Sequence, residues 1–414
     1  MFLSSLRRFV SVFAVQPLRD LWRPHPGQIG ALDFLRTSAV LMVILFHLRE
    51  VYLATGGAAS WLTRLPLIKY GIFGVDLFFV LSGYLIGKQL WRELFAEGTI
   101  SLPRFLLRRG MRIWPLYYAF VLLMMVAAIP SYYRHANAVW WSDVFCLSNY
   151  TNRGIVDGSW SLCTEEQFYL LLPLLLLAVW NLPQLRMRTW WLWGLLALLP
   201  VIRLGQWCWM TGDLGPHNDF FVARMSFPIH VRCDGLVAGV LIARYELRGA
   251  VPFSERWIAS PWMILVALVI GGGLCFWQRW IFCFAAASWL FAAVTANLIA
   301  RPWLLSQFFN NRAFFWLSRL SFGMYLNHMY LFVPVARWTL DHVPGAQSYP
   351  LLHFLVASTA LVGISSLVAV VTYCLIEHPF LALRDAWLKQ RVKSPPPLVE
   401  PEAHGLSQPV QSAG

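Results

Sequence analysis

Residues 32–50, LDFLRTSAVLMVILFHLRE, decide the fold class. Arg36 and His47 bracket ten uncharged and mostly apolar residues. With its flanks the run covers about 31–53, close to the roughly 20 residues an α-helix needs to cross the hydrocarbon core of a bilayer. Runs of the same kind recur at about 71–91, 113–131, 160–180, 189–205, 224–243, 260–277, 280–299, 313–334 and 350–375. Composition agrees: 58% of the 414 residues are hydrophobic and 13% are charged, about half the charged share of a soluble domain. The expectation is an all-α, polytopic membrane protein with about ten transmembrane helices. Ten such spans leave short connections and no room for a second enzyme-sized domain of about 100 residues or more.

The sixth run carries Pro228, His230, Arg232 and Asp234 ahead of the clean stretch GLVAGVLIA, so its helix is expected to start late or to be broken. The seventh and eighth are separated only by Gln278 and Arg279, which predicts a tight turn. Alternate connections hold 21 Lys and Arg on one side against 6 on the other. By the positive-inside rule both termini are cytoplasmic and the number of spans is even. The domain reading is then a cytoplasmic segment over 1–30, a transmembrane domain over 31–380 and a cytoplasmic tail over 381–414, Pro-rich and disordered from about 394. Arg7 and Arg8 before FVSVFAV mimic a signal sequence, but Gln16 and Pro17 interrupt the run and no small-residue cleavage site follows, so retention is expected.

The formal charge of +13 would raise nucleic acid as a partner in a soluble protein. Here the bilayer accounts for it, and no nucleic-acid partner is expected. The seven cysteines lack close metal spacing and mostly fall in or near apolar runs. They read as packing residues, with no metal site and no disulfide framework.

Ionisable residues at membrane depth need a partner, a water-filled cavity or a function. Eleven residues make about 1100° of helix, some 20° past three turns, so Arg36 and His47 share a face about 16 Å apart. Arg36 could snorkel to headgroups and His47 could join helices by a hydrogen bond. An imidazole on the same face as a membrane arginine also suits a substrate or proton path. In GVDLFFVLSGYLIG, Asp76 lies near the outer surface, where it could cap its helix, and Ser82 and Gly83 form a notch for close helix packing. In GSWSLCTEEQFYLLLP, Ser161 or Thr164 could cap the helix, with Glu165 and Glu166 in its first turn suiting the dipole. Two carboxylates beside Tyr169 exceed what capping requires, and a functional role for Glu165 is favoured. In LSRLSFGMYLNHMYLF, Asn327 and His328 lie in the outer half, as interhelical hydrogen-bonding residues or as site residues. His47, Asp76, Glu165 and His328 are therefore expected to converge at one level. Arg232 and Asp234 join them as supporting candidates.

A second layer forms at the inner surface. FLLRRGMRIWPLYY places Arg108, Arg109 and Arg112 just before the third run, in a connection holding six basic residues. Each alone is ordinary positive-inside decoration. Together they suit an anionic cytoplasmic ligand, because guanidinium groups bind phosphate bidentately. Glu377, at the inner end of the tenth run, could balance one of these charges.

In order along the chain, the Arg36–His47 pair, FFVLSGYLI, RRGMRIWPLYY, WSLCTEEQFY, YLNH and LIEHPF resemble the landmarks of the acyltransferase 3 family of integral membrane O-acyltransferases. The resemblance covers roughly residues 30–380. It implies transfer of an acyl group, usually acetyl, from a cytoplasmic acyl-CoA to a hydroxyl, commonly on a cell-envelope sugar. It also makes Arg36 and His47 the essential pair of the first span, Arg109 and Arg112 the pair opening the third, and Glu165 the acidic position before Phe168 and Tyr169. Cys163, Thr164 and Asn327 depart from the usual pattern, which bears on the acceptor pocket. Some members carry an additional extracytoplasmic esterase-like domain, which is not expected here.

The expected enzyme is an acyltransferase of the inner (cytoplasmic) membrane. Acyl-CoA, by default acetyl-CoA, is its co-substrate and no cofactor is bound. The acceptor is a carbohydrate, glycolipid or small-molecule hydroxyl. His47 is the expected general base, with Glu165 orienting it and Arg36 along the donor path. Arg108, Arg109 and Arg112 hold the acyl-CoA phosphates. The alternative is a proton-coupled transporter or flippase using the same residues, although the two halves of the chain show no convincing repeat.

Overall fold

The computed structural model describes residues 15–23, 29–127, 138–210, 224–248, 252–277, 279–301, 306–309, 311–345 and 348–393. The proposed disordered tail and most of the first 30 residues lie outside them. The described residues build helices α1 (Gln16–Trp22), α2 (Gly30–Ala54), α3 (Gly74–Glu97), α4 (Leu102–Val126), α5 (Ser159–Trp180) and α6 (Trp190–Met210). They continue with α7 (Asp234–Glu246), α8 (Trp262–Trp277), α9 (Arg279–Ala300), α10 (Arg312–His342), α11 (Pro350–Thr372) and α12 (His378–Lys393).

Each apolar run overlaps one of these helices, and among the described residues six stretches are long and apolar enough to cross a membrane. They are residues 30–54, 71–97, 159–180, 190–210, 281–300 and 350–388. α4 and α10 are long but more polar, and α7 and α8 have 13 and 16 residues. The sixth run is broken as expected: a single turn over Ile229–Arg232 precedes α7. α8 ends at Trp277 and α9 begins at Arg279, while Gln278 lies outside the described residues. The third helix begins well ahead of its apolar run. α4 starts at Leu102 with Pro103 in its first turn, where proline's fixed φ and missing N–H are tolerated. Arg108, Arg109 and Arg112 are thereby on the helix, ahead of the apolar run, with Arg109 and Arg112 three residues apart on one face.

The tightest packing joins α3 to α7. A Cβ at Gly83 would stand 2.0 Å from the Leu236 carbonyl oxygen, one at Gly239 would stand 2.2 Å from that of Val80, and Gly87 faces the Cα of Val240. Gly235 in turn meets Asp76 and Phe79. Contacts advance in the same direction along both helices, so the two run parallel with their backbones touching. Gly83/Gly87 and Gly235/Gly239 are each four residues apart, the spacing at which small residues bring membrane helices together. α2 packs on α10, which packs on α11.

The two ends of the described chain meet at one end of the bundle. The Asp20 carboxylate in α1 lies 3.0 Å from His378 Nε2 in α12, and Arg319 of α10 donates to the Asp20 carbonyl. Trp22 stacks on Trp316 with ring centres 5.6 Å apart. The connection before α5 is organised by Asp143, whose Oδ2 accepts from the amides of Ile155 at 2.5 Å and Val156 at 3.2 Å. Burial pushes its carboxyl above the usual range, against the opposing pull of those amides and of Ser159.

Candidate functional site

α2 is unbroken from Gly30 to Ala54, so the common face and the rise of about 16 Å between Arg36 and His47 hold. The two ends of that face enter different surroundings.

At the His47 end, the imidazole faces that of His328, with ring centres 5.6 Å apart. Phe332 stacks on it at 5.9 Å and Phe46 meets it edge-on at 5.1 Å. His328 Nδ1 lies 2.6 Å from the carbonyl oxygen of Tyr325. A carbonyl only accepts, so Nδ1 carries the proton and Nε2 presents its lone pair. That Nε2 is buried without a hydrogen-bond partner among the described residues. The Tyr325 hydroxyl shares a 2.6 Å hydrogen bond with Ser161 Oγ.

At the Arg36 end, the charges of Asp33, Arg109, Arg112 and Glu165 act on the guanidinium. Glu165 accepts from the Tyr169 hydroxyl at 2.5 Å. That hydroxyl is 2.6 Å from Ser82 Oγ; its one proton goes to Glu165, so Ser82 donates to it. The Arg109 guanidinium lies over the Tyr169 ring at 5.9 Å and donates to Gln89 Oε1 at 3.2 Å. Glu166 accepts from the Trp114 indole at 2.8 Å. Arg112 is exposed, yet its charge acts on Arg36 and on buried Glu377. Glu377 closes a turn of π-helix, Tyr373–Glu377, a distortion often found at functional sites. Arg108 is half-buried on the same helix as Arg109.

Glu165 and His47 therefore belong to two clusters. Tyr325 spans them: its carbonyl holds His328, and the charge of Glu165 acts on its hydroxyl.

Three sequence expectations need correction. Asp76 does not join the reactive level as a separate carboxylate and does not cap its helix. Both its oxygens bind Arg232, at 2.5 and 3.0 Å, and Ser288 Oγ adds a contact at 3.4 Å. Asp234 is likewise held by Arg203 at 2.6 and 3.0 Å. All four of these ionic side chains are fully buried, and mutual neutralisation is what makes that tolerable. Nor do Ser161, Thr164 and the glutamates cap α5. The helix begins at Ser159 after Gly158 in the left-handed region (φ 75°), which puts Glu165 in its second turn. Thr164 bonds instead to the carbonyls of Trp160 and Phe227.

Sequence reasoning passed over Tyr325, Gln89 and Arg203. Tyr325 and His328 are three apart on one helix and share a face. Ser82 and Gln89 are seven apart, two turns on one face. Arg203 is an arginine inside an apolar run, a signal in its own right.

A family model for an acyltransferase domain, acyltransferase 3, matches residues 29–374. The chain belongs to that family, and the resemblance read from the motifs is borne out. Every site residue named above except Glu377 falls within the matched stretch. The peptidoglycan O-acetyltransferase OatA of Listeria monocytogenes EGD-e is 28% identical over 332 residues, covering 72% of this chain and 49% of its own. The O-acetyltransferase OatA of Staphylococcus aureus NCTC 8325 is 34% identical over 170 residues, 36% of this chain and 25% of its own. The chain spans about half the length of the Listeria relative that it matches. No solved structure matches it.

Proposed function

We propose that this protein is a multi-pass O-acyltransferase of the inner membrane, moving an acetyl group from a cytoplasmic acyl-CoA to a hydroxyl of a cell-envelope carbohydrate. The single observation that carries this reading is the unbroken α2. It joins a guanidinium set in an arginine cluster to an imidazole set against a second imidazole, about 16 Å away along one face.

Arg109 and Arg112, with Arg108 beside them, bind the donor's phosphates by charge-assisted hydrogen bonds. The pantetheine arm runs past Arg36 and brings the thioester to the His47 end. His47 takes the proton of the acceptor hydroxyl, whose oxygen attacks the thioester carbonyl. The carbon–sulfur bond breaks, the acetyl ester forms, and the departing thiolate takes up the proton. His328, held by the Tyr325 carbonyl, fixes the position of His47. Glu165 acts at the arginine end, where it offsets Arg36 and Arg109, in place of the orienting role first expected of it. A carbohydrate acceptor is supported by the name of the Listeria relative, which shares the matched domain.

The test supplies radiolabelled acetyl-CoA to purified, reconstituted protein with cell-wall glycan fragments. Label on the glycan, absent with His47→Ala at equal protein amount, supports the proposal. Full transfer by that variant removes His47 from its role. Movement of solute across the vesicle wall without covalent transfer favours a proton-coupled transporter.

A further inference from the structure

A second cationic site lies away from this cluster. Near the C-terminal ends of α3 and α7, Arg244 is 2% exposed. Its guanidinium lies beside the stacked rings of Trp91 and Phe95, 5.0 Å from the first ring centre and 4.6 Å from the second. Nη2 makes one long bond, 3.4 Å, to the Arg186 carbonyl, and Nε has no hydrogen-bond partner among the described residues. The carboxylate two residues on, Glu246, is already engaged by Lys88 at 2.7 Å and Tyr84 at 2.8 Å. Among the described residues the charge that acts on Arg244 is that of Arg248, which repels it.

Two more donors belong to the same aromatic cluster. The indole N–H groups of Trp91 and Trp191 are buried and without partners among the described residues, and their rings are 6.4 Å apart. A buried cation without a counter-charge costs more than two ring faces return. Buried donors left unpaired add to that cost. Among the described residues the cluster holds three unpaired N–H donors and a positive charge, against a single distant acceptor, the Arg186 carbonyl. It is also separate from the Arg109 cluster: Gln89, which binds Arg109, and Trp91 are two residues apart and about 200° around α3.

We propose that Arg244, Trp91 and Trp191 form a binding site for a phosphate group. The guanidinium fork matches two phosphate oxygens, and the indoles supply single donors to the others. Phe95, 39% exposed, covers the guanidinium, and a rotation of its ring opens the way in. Exposed Arg186, whose carbonyl meets Arg244, and exposed Arg248 add positive charge nearby. The phosphate has two possible sources, the headgroup of an anionic phospholipid or a soluble phosphate compound.

The test is binding, so its failure leaves the acyl-transfer reading standing. Full-length protein in neutral detergent is titrated with short-chain phosphatidylglycerol and, separately, with inorganic phosphate, by native mass spectrometry and thermal unfolding. Short-chain phosphatidylcholine is the control. The wild type is expected to bind at least one anionic probe in preference to the control. Arg244→Gln should weaken that binding about tenfold or more, the effect of losing a charged partner. Dependence on Arg244 for the lipid alone identifies a headgroup site, and dependence for phosphate identifies a soluble ligand. If Arg244→Gln does not fold, Arg244→Lys, which keeps the charge but loses the fork, and Trp91→Phe are measured in its place and should each weaken binding severalfold. Binding by these variants equal to the wild type, no preference over phosphatidylcholine, or no binding of either anionic probe overturns the proposal.

Discussion

His328 and His47 face each other with ring centres 5.6 Å apart, and the carbonyl of Tyr325 fixes the orientation of His328. If His47 is the base and His328 positions it, the two act as a unit. Replacing His47 by Gln should lower acetyl transfer by about 10²- to 10⁴-fold, the usual contribution of a general base. His328→Gln should cost about tenfold, and the double variant should lose little more than His47→Gln alone, because residues acting as a unit are not additive. Transfer of label per amount of protein in membranes measures all three. Losses that multiply would separate the two residues.

Tyr169 carries the Glu165 carboxylate on one side and Ser82 on the other. Tyr169→Phe removes only the hydroxyl and strands both partners, which costs about 1–3 kcal/mol. The expected result is a ten- to hundredfold loss of transfer, seen mainly as a higher KM for the donor, because the loss falls at the arginine end. A change confined to the acceptor KM would place Tyr169 on the other side of the reaction.

The Asp76–Arg232 pair predicts stability and not chemistry. Breaking a buried pair by removing one partner costs about 3–5 kcal/mol, whereas replacing both by apolar residues of similar volume is often neutral. Asp76→Asn and Arg232→Gln should each lower the unfolding temperature in detergent, and Asp76→Leu with Arg232→Met should recover most of it. A folded Asp76→Asn protein that has lost transfer at unchanged unfolding temperature would return Asp76 to the reactive site.

The positions of the helices were legible in the sequence because ten apolar runs are separated by Gly, Pro and basic residues, and the broken sixth run could be read from Pro228 to Asp234. Partners were not. Asp76 and Arg232 lie 156 residues apart, and spacing along a chain does not say which helices become neighbours. The apolar run marked only the later part of α4, because the arginines ahead of it interrupt the hydrophobic pattern while Leu and Met between them let the helix run on from Pro103. The pairing of His47 with His328 was within reach, since both residues were assigned to the same level. The part of Tyr325 in holding His328 depends on a backbone carbonyl, which no side-chain pattern reveals.

The glycine contacts between α3 and α7 make a fourth prediction. Gly239→Leu forces a side chain into the backbone of Val80 and Tyr84, and overpacking of this kind costs about 1–3 kcal/mol or more. The yield of folded protein from membranes should fall sharply. Gly272→Ala in α8, where nothing lies within 4 Å of the added Cβ, should fold as the wild type does. Equal yields would mean that the two helices do not meet through these glycines.

The same pair of helices limits how such a protein can diversify. α3 and α7 touch backbone to backbone, so a larger residue at Gly83 or Gly239 pushes the helices apart, and with them Ser82 and Gln89, which brace Tyr169 and Arg109. Variation in that wall is purged whatever the acceptor. A lineage adapting to a bulkier acceptor has its freedom where α10 packs on α2 and where its Tyr325 meets Ser161 of α5, contacts made through side chains that can exchange volume with one another. Related chains should keep small residues along the α3–α7 wall and differ most at these contacts.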